Sequence, residues 1–177
     1  MKKEPKIRAY EIIYLEQARG SLGLMLDFAV YDLGFELTEF YDLFLRSEIS
    51  RRFEHGDCSI VAGRSGYEIA YEVLFSLDIP YKMVEPKYTA NRSVEYWTGW
   101  ALAYYQWYTA MSFSHINKYI PIEKIAGLYN PYHEMDIMQF VDCMNELYLG
   151  AKTDTNLKIR RQRARLSQNQ LGELAGS

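Results

Sequence analysis

The side chains of this 177-residue chain that could do chemistry are three histidines, two cysteines and scattered carboxylates. Their spacing decides what they can do. His133-Glu134-Met135-Asp136 gathers three possible ligands in one helical turn. A metal centre on a helix needs ligands at i and i+4 on one face, and no second histidine stands four residues from His133. The run therefore reads as a polar helix start, where carboxylates favour the positive end of the dipole. Asp27 with Asp32, or Glu36 with Glu39, could be drawn as an acid and a base, but solvated helix faces account for them. Cys58 and Cys143 form no CxxC pair and read as buried intracellular thiols. The chain contains no GxGxxG, GxxxxGK[ST] or GxSxG. Ala62-Gly63-Arg64-Ser65-Gly66, leading into a helix, comes nearest to an anion loop and reads as an ordinary loop and cap. No catalytic residue, metal ligand or cofactor is expected, and the chain is not expected to be an enzyme.

Charge carries more information than these groups do. The whole chain has a formal charge of −3. From residue 152 onward the cations are Lys152, Lys158, Arg160, Arg161, Arg163 and Arg165, and the anions are Asp154 and Glu173. That is 6 − 2 = +4, which leaves −3 − 4 = −7 on residues 1–151. A basic end on an acidic body points to an anionic partner for the end alone. Within it, Leu157 and Arg161 share a helix face. Ser167-x-x-Gln170 matches a capping box, and Leu171, Leu174 and Ala175 make an inner face. Gly176 would end that helix with a conformation glycine adopts most easily. The expectation is a basic helix, a tight connection, a short helix and a glycine turn.

These residues resemble the start of the Cro/C1-type helix-turn-helix family, the phage-repressor-like (Xre) DNA-binding module. The match lies in Leu157, Arg161, Leu166-Ser167-Gln168, Leu171, Leu174 and Ala175-Gly176-Ser177. The resemblance implies that Leu166-Ser167-Gln168 opens the first helix of the motif and that Ala175-Gly176 makes the turn. It also implies that Arg161, Ser167 and Gln168 are the DNA-binding residues, with Arg161 and Gln168 on backbone phosphates. Phosphate contacts position a protein without reading bases. The sequence departs from the family pattern at Arg160 (apolar in many members), Arg165 (usually glycine) and Gly172 (commonly alanine). It also stops at Ser177, before the recognition helix that would enter the major groove. The chain is therefore expected to be a fragment of a longer protein, and by itself to bind no specific DNA sequence.

The rest of the chain must position whatever the ends contact, and its pattern is helical nearly throughout. Hydrophobic residues are 49% and charged residues 24%, which excludes disorder for most of the chain. No window is apolar for long enough to span a membrane, and the first residues show no uninterrupted apolar core of the kind a secretory signal needs. Ile7, Tyr10, Ile13, Tyr14, Ala18, Leu22, Met25, Leu26, Ala29, Val30 and Leu33 recur at spacings of three and four. Gly20 and Gly23 predict a bend near Ser21, and Gly34 a terminal cap. Thr38 predicts a second helix start, with Phe40, Leu43, Phe44, Ile49 and Phe53 as its buried stripe. His55-Gly56-Asp57 reads as a turn, Cys58–Ala62 as a short strand, and Ser65 with Glu68 as a capping box. Pro80 and Pro86 mark a loop. A helix from about Ser93 to Met111 carries Trp97, Trp100 and Trp107 interleaved with tyrosines. Two short helices follow, and a longer one is predicted from Pro131 to about Leu149.

The fold class expected is all-α. Residues 1–150 form a partner-binding or dimerisation domain, 151–155 a linker, and 156–177 the truncated helix-turn-helix. The function expected is that of a cytoplasmic DNA-binding transcriptional regulator, the antitoxin-like component of a toxin-antitoxin operon. Its partners would be DNA for the intact protein, and a protein partner or second copy through the helical body. The alternative is a helical small-molecule sensor or enzyme-like domain with an aromatic pocket joined to a DNA-binding tail.

Overall fold

The computed structural model describes residues 7–87 and 91–175. A 3-10 turn over Ile12–Tyr14 leads into α1 (Leu15–Tyr31). Then come α2 (Leu37–Arg46), α3 (Glu48–Glu54), α4 (Cys58–Val61), α5 (Gly66–Ser76) and α6 (Val94–Thr109). The chain continues through α7 (Phe113–Tyr119), α8 (Ile122–Ala126), α9 (Tyr129–Tyr132) and α10 (Ile137–Ala175). No strand occurs among the described residues, and the fold is all-α. Cys58–Ala62 is not a strand. Asp57 turns it into α4 by accepting hydrogen bonds from the Ser59 amide (3.0 Å) and hydroxyl (2.7 Å).

The core is built around α1 and α6. Ala18, Leu22, Met25, Leu26 and Ala29 of α1 are fully buried. The apolar face begins only at Leu15, however, because Ile7 and Ile13 are largely exposed. The bend expected at Gly20 and Gly23 is absent, and α1 runs unbroken. Gly23 serves close approach instead. A Cβ there would lie 2.6 Å from the Tyr96 carbonyl oxygen, and one on Gly99 would lie 2.5 Å from that of Leu22. The two helices thus cross backbone to backbone, which only residues without side chains permit.

Around this pair, α5 packs on α1, and α2 packs on α1, α3 and α8. Phe44, Phe53 and Phe113 form an aromatic cluster with centroid separations of 5.3 to 6.3 Å. Such edge-to-face pairs add to the area they bury. The expected second stripe is buried but belongs to two helices. Ser47 takes an extended backbone and donates its hydroxyl to the Phe44 carbonyl (2.7 Å), so that α2 ends and α3 begins. The helix starts at α2 and α5 compare instructively. Ser65 caps α5 as expected, accepting from the Glu68 amide (3.3 Å), whereas α2 starts at Leu37 with no side-chain cap, so Thr38 is not its N-cap.

The last helix departs furthest from the sequence-based expectation. It starts at Ile137 rather than Pro131, because Asp136 accepts from the Met138 amide (2.8 Å). Phe140, Val141 and Met144 are buried against the body. The helix then continues through 151–155, where a linker was expected, and through Ser167, where a new helix was expected to start. Thr153 and Thr155 return their hydroxyls to the carbonyls of Leu149 and Ala151 (2.9 Å each), which satisfies them inside the helix. Beyond them, Lys, Arg, Gln, Leu and Ala favour helix by intrinsic propensity, and no packing contact imposes a break. The expected turn at Gly176 and Ser177 lies outside the described residues.

Candidate functional site

Two places in the molecule gather functional groups. The first is the far half of α10. From Lys152 to Glu173 every side chain is exposed except that of Thr155, which is half-buried. At about 100° per residue, Lys158, Arg161, Arg165 and Gln168 fall within roughly 80° of one another and form one stripe. Two of the three expected DNA-binding residues, Arg161 and Gln168, therefore share a face about two turns apart. Ser167 points roughly 100° away from Gln168 and sits inside the helix rather than capping one. Lys158 and Arg165 join the stripe. Their spacing of seven, with Arg161 between, was the signal available in the sequence. Among the described residues no carboxylate lies within ion-pair distance of Lys158, Arg161 or Arg165. Leu166 and Leu171 are 62% and 67% exposed, so the apolar residues that a helix-turn-helix would pack together stand in solvent here.

An aromatic seat holds the root of this helix. The ring nitrogen Nε2 of His115 lies 2.8 Å from the Tyr148 hydroxyl, and the Tyr105 hydroxyl donates to Asn145 (2.8 Å). Burial pushes the Tyr105 hydroxyl up to about 12, so it stays a neutral donor. Lys152 lies over the Tyr148 ring.

The second place is a cleft of about 450 Å³ where the start of α6 meets α1 and α9. Trp97 and Trp100 contribute from α6, Tyr129 from α9 and Gly20 from the floor on α1. Trp97 meets Tyr129 edge-on, at 5.7 Å and 83°. Ser93 sits at the mouth as the N-cap of α6, accepting from the Tyr96 amide (3.0 Å) while its hydroxyl donates to Asp27. Two opposite charges line the cleft, Arg92 and Glu16, both exposed. The Arg92 guanidinium lies 4.2 Å from the Tyr96 ring centre. Behind the wall, Arg19 lies 3.3 Å from the ring centre of Trp100 and donates to the Trp100 carbonyl (3.2 Å). Burial lowers its pKa to about 10, and it holds the Trp100 ring in place.

The other candidate groups fall into structural roles. His133 lines the cleft and stacks on Tyr129 at 3.9 Å and 4°. It gathers no metal ligands, and among the described residues no three His, Cys, Asp or Glu side chains converge. Arg64, in the loop before α5, is paired with Glu72. Asp27 and Asp32 serve separate contacts, Asp27 with Ser93 and Asp32 with the Lys87 amide (3.4 Å). Trp107 belongs to neither place, since its indole N–H donates to the Tyr10 carbonyl (2.7 Å). Sequence reasoning offered an aromatic pocket only as an alternative and could not place its lining, because Glu16, Arg92 and Tyr129 are far apart in the chain. Only the Trp97–Trp100 spacing hinted at it.

Comparison of the chain with family models, with curated proteins and with solved structures gives no match.

Proposed function

We propose that the chain comes from a DNA-binding transcriptional regulator of the antitoxin-like kind. In this reading the far half of α10 supplies phosphate contacts, and the helical body binds a partner protein or a second copy. The observation that carries it is the exposed stripe Lys158–Arg161–Arg165–Gln168 on a body whose net charge has the opposite sign. Exposed cations aligned on one helix face, with no carboxylate of the described residues in ion-pair range, suit a polyanion such as the phosphate backbone. The acidic body repels DNA and leaves that stripe as the contact. The resemblance to the Cro/C1-type family points the same way.

Titration of a mixed-sequence duplex by fluorescence anisotropy in a salt series tests this. Binding weakens as salt rises. Replacing Lys158, Arg161 and Arg165 together by Gln reduces the slope of log K against log salt by about 2.7, at roughly 0.9 per neutralised phosphate. A slope unchanged by the triple replacement defeats the proposal. A second reading, favoured by the aromatic cleft, makes the body a small-molecule sensor that reports to the tail.

A further inference from the structure

We propose that the cleft between α1, α6 and α9 binds a small aromatic zwitterion, of the class of the aromatic amino acids. This rests on the sensor reading of the body and is independent of DNA binding by α10.

Three features of the site set the ligand class. Its volume of about 450 Å³ is at the small end of ligand pockets, enough for one or two rings with a short polar chain. Its walls are the rings of Trp97, Trp100 and Tyr129, and Gly20 on the floor adds no side chain. Flat rings held by neighbours favour a flat guest, and the Trp100 ring is fixed from behind by Arg19. The polar groups have both signs. Arg92 stands beside the N-terminus of α6, the positive end of a 16-residue helix, and Glu16 lies on α1. A carboxylate on the ligand is matched by Arg92, and an ammonium by Glu16. An anion alone would meet Glu16 unpaired, and a cation alone would meet Arg92.

His133 completes the polar lining. Its Nδ1 lies 2.7 Å from the Tyr129 carbonyl oxygen, which can only accept, so Nδ1 carries the proton. Its Nε2 lies 3.6 Å from Glu134, so both ring nitrogens face groups of the chain itself.

The test follows the three indole N–H signals by NMR while L-tryptophan, L-tyrosine and L-phenylalanine are added to the whole chain. Binding shifts the signals of Trp97 and Trp100 saturably. The signal of Trp107, tied to Tyr10 outside the cleft, stays in place. Two probes separate the charges. Indole-3-propionate lacks the ammonium, and tryptamine lacks the carboxylate. Arg92→Gln weakens L-tryptophan and indole-3-propionate about tenfold, the size of one good charged contact, and does not weaken tryptamine. Glu16→Gln weakens L-tryptophan and tryptamine similarly and does not weaken indole-3-propionate. Both positions are exposed, so both variants fold.

The proposal is overturned if no amino acid shifts Trp97 or Trp100 below about 1 mM, the weak end of specific recognition. It is equally overturned if the two variants bind L-tryptophan as the parent does, or if a one-charge probe binds as tightly as L-tryptophan. The salt slope on duplex DNA reads the tail alone, so the two proposals fail separately.

Discussion

The near and far halves of α10 share one backbone geometry and differ in everything around it. In the near half Phe140, Val141 and Met144 are buried, and Tyr148 is fixed by His115. In the far half, roughly 36 Å long at 1.5 Å per residue, Leu157, Leu166 and Leu171 face solvent. Packing holds the first half, and propensity alone holds the second. The first turn of an isolated helix is costly to form, and the far half avoids that nucleation cost by continuing from an anchored root. A packed surface resists substitution and confers position. An unpacked one tolerates substitution and offers itself to a partner.

The largest test of that contrast lies in the body. Phe44→Ala removes the ring shared by the Phe53 and Phe113 contacts and leaves a cavity, at a cost of about 3–5 kcal/mol in urea unfolding. A smaller loss would mean that the aromatic cluster is loosely packed. Next comes the α1–α6 crossing. Gly99→Ala places a methyl 2.5 Å from the Leu22 carbonyl oxygen and destabilises by about 1–3 kcal/mol in the same measurement. Gly150→Ala is its counterpart, because nothing stands within 4 Å of a Cβ there. It should stabilise, raising helical circular dichroism, by about 0.5–1 kcal/mol. If both glycine substitutions changed stability in the same direction, the distinction between packed and unpacked helix would fail.

A pH series probes the body from another side. Glu54 accepts the Phe113 amide (2.8 Å) while burial raises its pKa above the ordinary carboxylate value. The folded state therefore holds this proton more tightly than the unfolded chain does. Its favourable contribution is present in acid and is lost as pH rises through the raised pKa. Glu54→Gln keeps an acceptor for Phe113 and should flatten that part of the urea-midpoint profile. A profile identical to the parent's would show that Glu54 does not titrate differently on folding. The smallest effect belongs to the tail. Leu166→Glu should change the melting of the body by no more than about 0.5 kcal/mol. A larger change would reveal packing on the far half.

Some elements were legible because their signals are local. Ser65 with Glu68 is a cap read from four residues, and it holds, while the helix expected from about Ser93 does start there, with Ser93 as its cap. Gly34 and Gly56 sit at turns and take positive φ, as a glycine after a helical run suggests. Other signals were local but outvoted. Ser167-x-x-Gln170 has the pattern of a capping box, yet a cap forms only where something ends the preceding helix, and nothing there does. Gly20 and Gly23 look like breakers, but a facing helix makes Gly23 a contact. For the candidate sites the division is the same. The cationic stripe was readable from spacing along one helix. The cleft was not, since Glu16, Arg92 and Tyr129 come from three elements.

The sequence alone determined the all-helical class, the buried stripes and the separation of charge between body and end, because each depends on composition or on neighbours within a turn or two. Only the tertiary structure decided that two glycines face each other's helices, that three phenylalanines from different helices meet, and that an aromatic cleft opens beside the start of α6. Those outcomes depend on which surfaces meet across long stretches of chain, and the short-range patterns of a sequence do not encode that pairing.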